Sequence, residues 1–208
     1  MKLKFIHITK NAGTSIENIA QEKSINWGRF DSDLKFLGNS FWHKPLQFNQ
    51  NEKLKAEILD NYDLFAVVRH PYTRCISEYY CKWGGPKSRK ATKHELNSYI
   101  QEKVRSVRTR ESVASKKSLS NNLYGHFVPQ FYYLYDGQGN RIVQNIIRFE
   151  NLEQEFNSLM KKYEIPLVLN RHDNRNSSKF TVSDLTPDTK RLIFQVYKRD
   201  FKEFDYAQ

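Results

Sequence analysis

Cysteine is scarce in this chain: 208 residues hold two, Cys75 and Cys81. That excludes a disulfide-stapled scaffold and any CxxC metal or redox motif. Both fall on one expected helix at a spacing that points them in different directions, so they are poorly placed to bond each other. Long apolar runs are missing too. The apolar stretch of the opening MKLKFIHITK is too short for a signal-peptide core or a membrane span. With Met1 as the native start, this predicts a soluble, cytoplasmic protein. Acidic residues are in deficit, 23 Asp and Glu against 34 Lys and Arg, for a net charge of +11. Such a surplus favours an anionic partner (nucleotide, nucleic acid, acidic glycan or membrane surface) without choosing among them. There is no internal repeat and no low-complexity tract.

What is present reads as one globular domain over residues 1–208. The apolar fraction is only 38%, but aromatics at 14% supply bulky core material. Leu3–Ile8 is a short β-rich run, followed by a polar loop and then Ile16, Ile19 and Ala20 at helical spacing. Asn51–Asp60 predicts a helix. Leu64–Val68 is a continuous apolar run, as in a strand covered on both faces. Pro71 suits the first turn of a helix running to about Trp83. Ile142–Phe149 predicts a further strand, Glu150–Tyr163 a helix, and Thr186-Pro187-Asp188 the start of a last helix toward Phe201. Strands alternating with helices predict an α/β fold with a mainly parallel sheet. After the Gly84-Gly85-Pro86 break, residues 82–118 hold 11 Lys/Arg against 3 Glu. They read as a basic insertion containing a helix from His94 to about Val107, which fits either a bare solvated loop or an acceptor-binding surface.

Two loops carry chemistry. Lys10-Asn11-Ala12-Gly13-Thr14-Ser15 links a strand to a helix N-terminus, where backbone N–H groups lack internal partners and the dipole favours anions. Gly13 permits close backbone approach, Thr14 and Ser15 offer hydroxyls, and Lys10 adds a full charge. It is not a Walker A loop, since the lysine precedes the glycine. As a bare pattern it fits a capped helix with a surface lysine equally well. The second loop places Arg69 at the carboxyl end of the buried strand, the edge where open α/β sheets bind ligands. Its planar fork matches phosphate oxygens, although a carboxylate partner would explain it too. Arg74 and Ser77 share a face of the following helix.

Together these segments resemble sulfotransferases. Phe5 to Ser15 resembles their 5′-phosphosulfate loop, P-K-[TA]-[GA]-[GS]-T-[ST]. Val67 to Tyr79 resembles their 3′-phosphate motif, R-[DN]-P-x-x-R-x-x-S-x-Y. The resemblance is closest to the carbohydrate enzymes of heparan and chondroitin type and their bacterial relatives. Pro129-Gln130, Arg148-Phe149-Glu150-Asn151-Leu152 and Asp200-Phe201-x-x-Phe204-x-Tyr206 also look like that family. The departures are Thr9 for proline, Asn11 for threonine and His70 for aspartate or asparagine.

The resemblance implies a nucleotide-kinase-like, P-loop three-layer fold with a central, mainly parallel sheet flanked by helices. It implies 3′-phosphoadenosine 5′-phosphosulfate as donor, adenosine 3′,5′-bisphosphate as product, and no required metal. Lys10, Asn11, Ala12, Gly13, Thr14 and Ser15 would hold the 5′ end, with Lys10 stabilising the leaving phosphate. Arg69, Ser77 and the supporting Arg74 would hold the 3′-phosphate, with Ser178 and Lys179 within reach of the nucleotide. Among six histidines, His43 between the two motifs is the candidate base, and Glu17 a second. Trp42 would stack on a sugar acceptor, neutral or anionic. The competing readings are a small-molecule kinase with a degenerate phosphate loop and a non-enzymatic basic binder of glycan or nucleic acid.

Overall fold

The computed structural model describes residues 2–31, 45–48, 52–82, 85–86, 92–111, 126–170 and 179–208, with side chains through 107 in the fifth of these segments. Among the described residues three strands are formed, β1 (Lys2–Ile6), β2 (Tyr62–Val68) and β3 (Asn145–Arg148). The helices are α1 (Gly13–Gln21), α2 (Glu52–Asn61), α3 (Pro71–Tyr79), α4 (Lys93–Glu111), α5 (Phe131–Leu134), α6 (Leu152–Lys162), α7 (Pro187–Val196) and α8 (Lys198–Glu203). The chain divides into two compact units, one comprising Met1–Arg69 with Gln130–Arg175, the other His70–Pro129 with Asn176–Gln208.

The first unit is built on a parallel sheet in the order β1-β2-β3. Phe5 lies opposite Phe65, and Val67 opposite Ile147. Both faces of the central strand β2 are covered from Leu64 to Val68, which is why it reads as an unbroken apolar run. One face presents Leu3, Phe5, Phe65, Val67 and Ile147 to Ile16 and Ile19 of α1 and to Phe156 and Met160 of α6. This is the α/β architecture with a parallel sheet and flanking helices that the alternation of apolar runs predicts. Every strand runs the same way, so the loops after β1 and β2 leave from the same edge of the sheet.

The second unit is helical. Tyr72, Ile76 and Tyr79 of α3, Leu96, Ile100 and Val104 of α4, and Ile193 of α7 share one core with Tyr197 and Phe201. Leu96, Ile100 and Val104, four apart, are all fully buried, so the helix inside the basic segment is a structural member of this unit. Its lysines stay outside: Lys93 reaches Asp184 at 2.7 Å while largely exposed. The last helix is two. α7 starts as expected, with Thr186 accepting from Thr189 N–H and Pro187 in the first turn, but the chain turns at Tyr197 and resumes as α8. Likewise α3 ends at Tyr79, so Cys81 lies beyond the helix rather than on it. No helix among the described residues is long and apolar enough to cross a membrane.

Truncating Ile100 to alanine removes three carbons from a fully buried site. It should lower unfolding free energy by about 2–5 kcal/mol, read as a reduced urea midpoint at unchanged slope. A surface helix would tolerate the change.

Candidate active site

After β1 the chain passes through His7–Ala12 into α1. Lys10 and Ala12 both adopt left-handed backbone, with φ of 63° each, a conformation that costs an L-residue about 1–2 kcal/mol. Ala12 is the N-cap of α1 and supplies no side-chain cap. The first intrahelical bond runs from Ile16 N–H to the Ala12 carbonyl. The N–H groups of the first turn therefore have no intrahelical acceptor, and the helix dipole adds to their pull on an anion. No hydrogen bond or ion pair to the Lys10 ammonium occurs among the described residues. Thr14 is half-exposed, whereas Gly13 and Ser15 are buried.

The reason for glycine at position 13 lies beneath the loop. A Cβ there would come within 2.1–2.4 Å of the His7 ring. His7 is 4% exposed, and its Nδ1 lies 2.5 Å from Glu17 Oε1. That carboxylate is fully buried and also accepts from Arg29 N–H at 3.0 Å. Gly28, at φ +57°, exists because a side chain there would strike Glu17. Glu17, expected as a second base candidate, is instead an internal support: its Oε1 serves the underside of the loop, and the fully buried carboxylate is closed off from solvent.

The second loop leaves β2 beside the first. Arg69 Nη1 donates to the Lys10 carbonyl at 3.1 Å, and the guanidinium stacks over Phe149 at 4.0 Å. Two buried amides fix this arrangement. Asn11 Nδ2 donates to the Val67 carbonyl and to Gln130 Oε1, both at 2.7 Å. Gln130 Oε1 also accepts from Arg69 N–H, and its Nε2 donates to the Arg69 carbonyl, both at 2.8 Å. The side chain of Asn11 is fully buried and its Nδ2 is committed to these two acceptors, so it positions backbone. Gln130 is the site residue whose role sequence spacing did not reveal. Its only signal was the Pro129-Gln130 pair inside an aromatic run.

In the second unit, His70 caps α3. Its Nδ1 accepts from Tyr72 N–H at 3.3 Å, leaving Nε2 to donate to the Ala207 carbonyl at 3.0 Å. The ring packs near Tyr206 and Phe201. Arg74 is 2% exposed. Its fork donates to the Val128 carbonyl at 2.9 Å and the His126 carbonyl at 3.0 Å. These contacts make it an anchor for the segment before Gln130, in keeping with a supporting place in the motif. Ser77 is half-buried on α3 and Lys179 exposed at a bend. Trp42, His43 and Ser178 lie outside the described residues.

This unit also assembles something the linear sequence hides. Glu78, Cys81 and His126 form a buried cluster. His126 Nδ1 lies 2.7 Å from Glu78 Oε2 and 3.8 Å from Cys81 Sγ. Burial opposes protonation of the imidazole, but its hydrogen bonds to Cys81 and Glu78 and the Glu78 charge outweigh this and hold it at about 9.

Residues 1–207 match the family model described as "Sulfotransferase family". The chain belongs to that family. No curated protein and no solved structure matches it significantly. As a sulfotransferase it carries out sulfuryl transfer, and its motif residues divide into two kinds. Lys10 and Arg69 present cationic groups at one sheet edge. Asn11, Arg74 and Gln130 hold backbone in place. His70 explains a departure from the family pattern, because an imidazole Nδ1 can replace the capping oxygen of aspartate or asparagine.

Two substitutions follow from this division. Gly13→Ala forces a methyl into the His7 ring and should cost about 1–3 kcal/mol. Chemical denaturation reads the effect. His70→Ala should lose about 1 kcal/mol of cap energy, whereas His70→Asp should keep most of it. Equal thermal midpoints for the two variants would remove the capping role.

Proposed function

We propose that this sulfotransferase takes the sulfuryl group from 3′-phosphoadenosine 5′-phosphosulfate and places it on a carbohydrate hydroxyl. The observation that carries the donor assignment is the contact of Arg69 with the Lys10 carbonyl. It puts two cationic loops side by side at the carboxyl ends of adjacent parallel strands, where open α/β sheets bind ligands. One end of the site offers the first turn of α1, at the positive end of its helix dipole, and the Lys10 ammonium, suited to a phosphosulfate. The other offers the Arg69 fork, held flat on Phe149 and suited to a phosphate. A bisphosphorylated nucleotide needs both.

The acceptor oxygen attacks sulfur, the sulfur–oxygen bond to the 5′-phosphate breaks, and adenosine 3′,5′-bisphosphate leaves. The acceptor proton passes to a base, which we assign to His43 from its place between the two loops in sequence. Lys10 and the α1 N–H groups stabilise the charge that grows on the departing phosphate oxygen. As fixed donors they need no reorganisation during the step. The step balances without a metal ion. The carbohydrate acceptor rests on the closeness of both motifs to the carbohydrate enzymes and on the +11 charge, with Trp42 offered as a stacking surface.

Lys10→Ala should leave the fold intact and lower kcat by about 10²–10³-fold. Arg69→Ala should weaken bisphosphate binding by roughly tenfold or more, as expected for a lost charge-assisted hydrogen bond, and affect turnover less. His43→Ala should retain donor affinity while stopping transfer. Labelled-donor assays with sulfated and unsulfated oligosaccharides, beside calorimetry with adenosine 3′,5′-bisphosphate and with ATP–Mg²⁺, separate these outcomes. Preference for ATP–Mg²⁺ would return the kinase reading, and a Lys10→Ala enzyme with normal turnover would unseat Lys10.

A further inference from the structure

The family chemistry makes no use of the Glu78–Cys81–His126 cluster. It lies in the second unit, on the end of α3, the turn after it, and the segment that begins at His126. The three side chains are 1%, 5% and 8% exposed respectively, and their ligand-capable atoms all fall within 4.8 Å of one another. One imidazole nitrogen faces both partners. A single Nδ1 proton is shared poorly between a carboxylate 2.7 Å away and a sulfur 3.8 Å away. Three potential ligand atoms this close together and this enclosed form a donor set that a single divalent cation can take from a protein interior.

The ligand set is one sulfur, one imidazole nitrogen and one carboxylate oxygen. Each is an ordinary zinc donor, with bonds of about 2.3, 2.0–2.1 and 2.0–2.2 Å. In tetrahedral geometry those bond lengths set neighbouring donors about 3.4–3.6 Å apart. The Cys81–His126 separation is already within a few tenths of an ångström of this. The His126–Glu78 pair must open from a hydrogen bond, a small rotation of one carboxylate. The other thiol is unsuited: burial pushes Cys75 up to about 12, and it sits in the apolar core of α3.

We propose that Glu78, Cys81 and His126 bind one zinc-class divalent cation, with a water or a further group in the fourth position. The ligands bind deprotonated, so uptake releases the Cys81 thiol proton and any proton on His126 Nδ1 to solvent. The consequence is mechanical. The His126 carbonyl accepts from Arg74 Nη2, so an ion held by the His126 ring ties the C-terminal end of α3 to the segment that anchors Arg74. The ion stiffens that helix and takes no part in sulfuryl transfer.

The test uses the untagged full chain. Protein equilibrated with Zn²⁺ and then gel-filtered should retain about one ion per chain by elemental analysis. Co²⁺ in its place should give a near-ultraviolet thiolate-to-cobalt charge-transfer band. Cys81→Ser should abolish that band, and Cys75→Ser should preserve it. His126→Gln should weaken Co²⁺ binding by more than the roughly 10–100-fold that loss of an outer partner costs. Zn²⁺ should raise the thermal midpoint of the wild type and leave Cys81→Ser unmoved. The wild-type measurement needs no variant to fold. A folded wild type that stays metal-free, with no Co²⁺–thiolate band, overturns the proposal in favour of an imidazolium bridging Glu78 and Cys81. So does a band that survives Cys81→Ser.

Discussion

Parallel strands end with backbone groups that the ladder no longer pairs, and here side-chain amides take up the pairing. The register of β1 with β2 stops at Ile6 opposite Ala66. Beyond it, Asn11 Nδ2 meets the Val67 carbonyl, and Gln130 engages both the N–H and the carbonyl of Arg69, much as a neighbouring strand would. Pairing matters in a buried network of this kind, because an orphaned amide or carbonyl costs about 1–3 kcal/mol; here Asn11 Oδ1 is the one amide atom of Asn11 and Gln130 that finds no partner among the described residues. That penalty keeps the network in one arrangement. The cationic residues Lys10 and Arg69 ride on backbone that the amides hold. Gln130 thus reinforces the ties that Asn11 Nδ2 and Arg69 Nη1 make between the two loops.

The same economy appears under the first loop. Two left-handed residues in succession around Asn11 are unfavourable by themselves, and the loop persists because everything below it is filled. His7 occupies the space under Gly13, Glu17 holds His7, and Arg29 N–H with the space over Gly28 holds Glu17. A carboxylate and an imidazole, both residue types that often perform acid–base work, are here committed to support. Burial decides between the two roles: Glu17 is fully enclosed and closed off from solvent.

Much of this was legible from residues alone, for identifiable reasons. The run Leu64–Val68 announces a doubly covered strand, and Pro71 and Pro187 announce helix starts, because these signals are local. Lys10 and Arg69 could be singled out because each directly follows a buried run. What was not legible depends on contacts distant in sequence. Gln130 acts on Asn11 and Arg69 from far along the chain, and nothing in its own neighbourhood shows which backbone it will meet. Arg74 has a supporting place in the motif, but its position alone does not show that carbonyls of residues 126 and 128 claim its fork. The spacing of Glu78 and Cys81 looks like no metal motif until His126 arrives beside them. The break in the last helix at Tyr197 was hidden because its residues keep helical apolar spacing on both sides.

A family pattern read position by position treats each departure as a loss. Read as geometry, it asks whether the physical task is still performed. At position 70 the family's aspartate or asparagine is an N-cap acceptor, and the unprotonated Nδ1 of a histidine performs that task when its Nε2 has somewhere to donate. The Ala207 carbonyl provides the place, and the rings of Phe201 and Tyr206 fix the plane. The substitution therefore draws in the C-terminal segment, whose Asp200-Phe201-x-x-Phe204-x-Tyr206 pattern otherwise has no visible link to the nucleotide motif. Through the imidazole of His70, residues 206–207 become part of the support for α3.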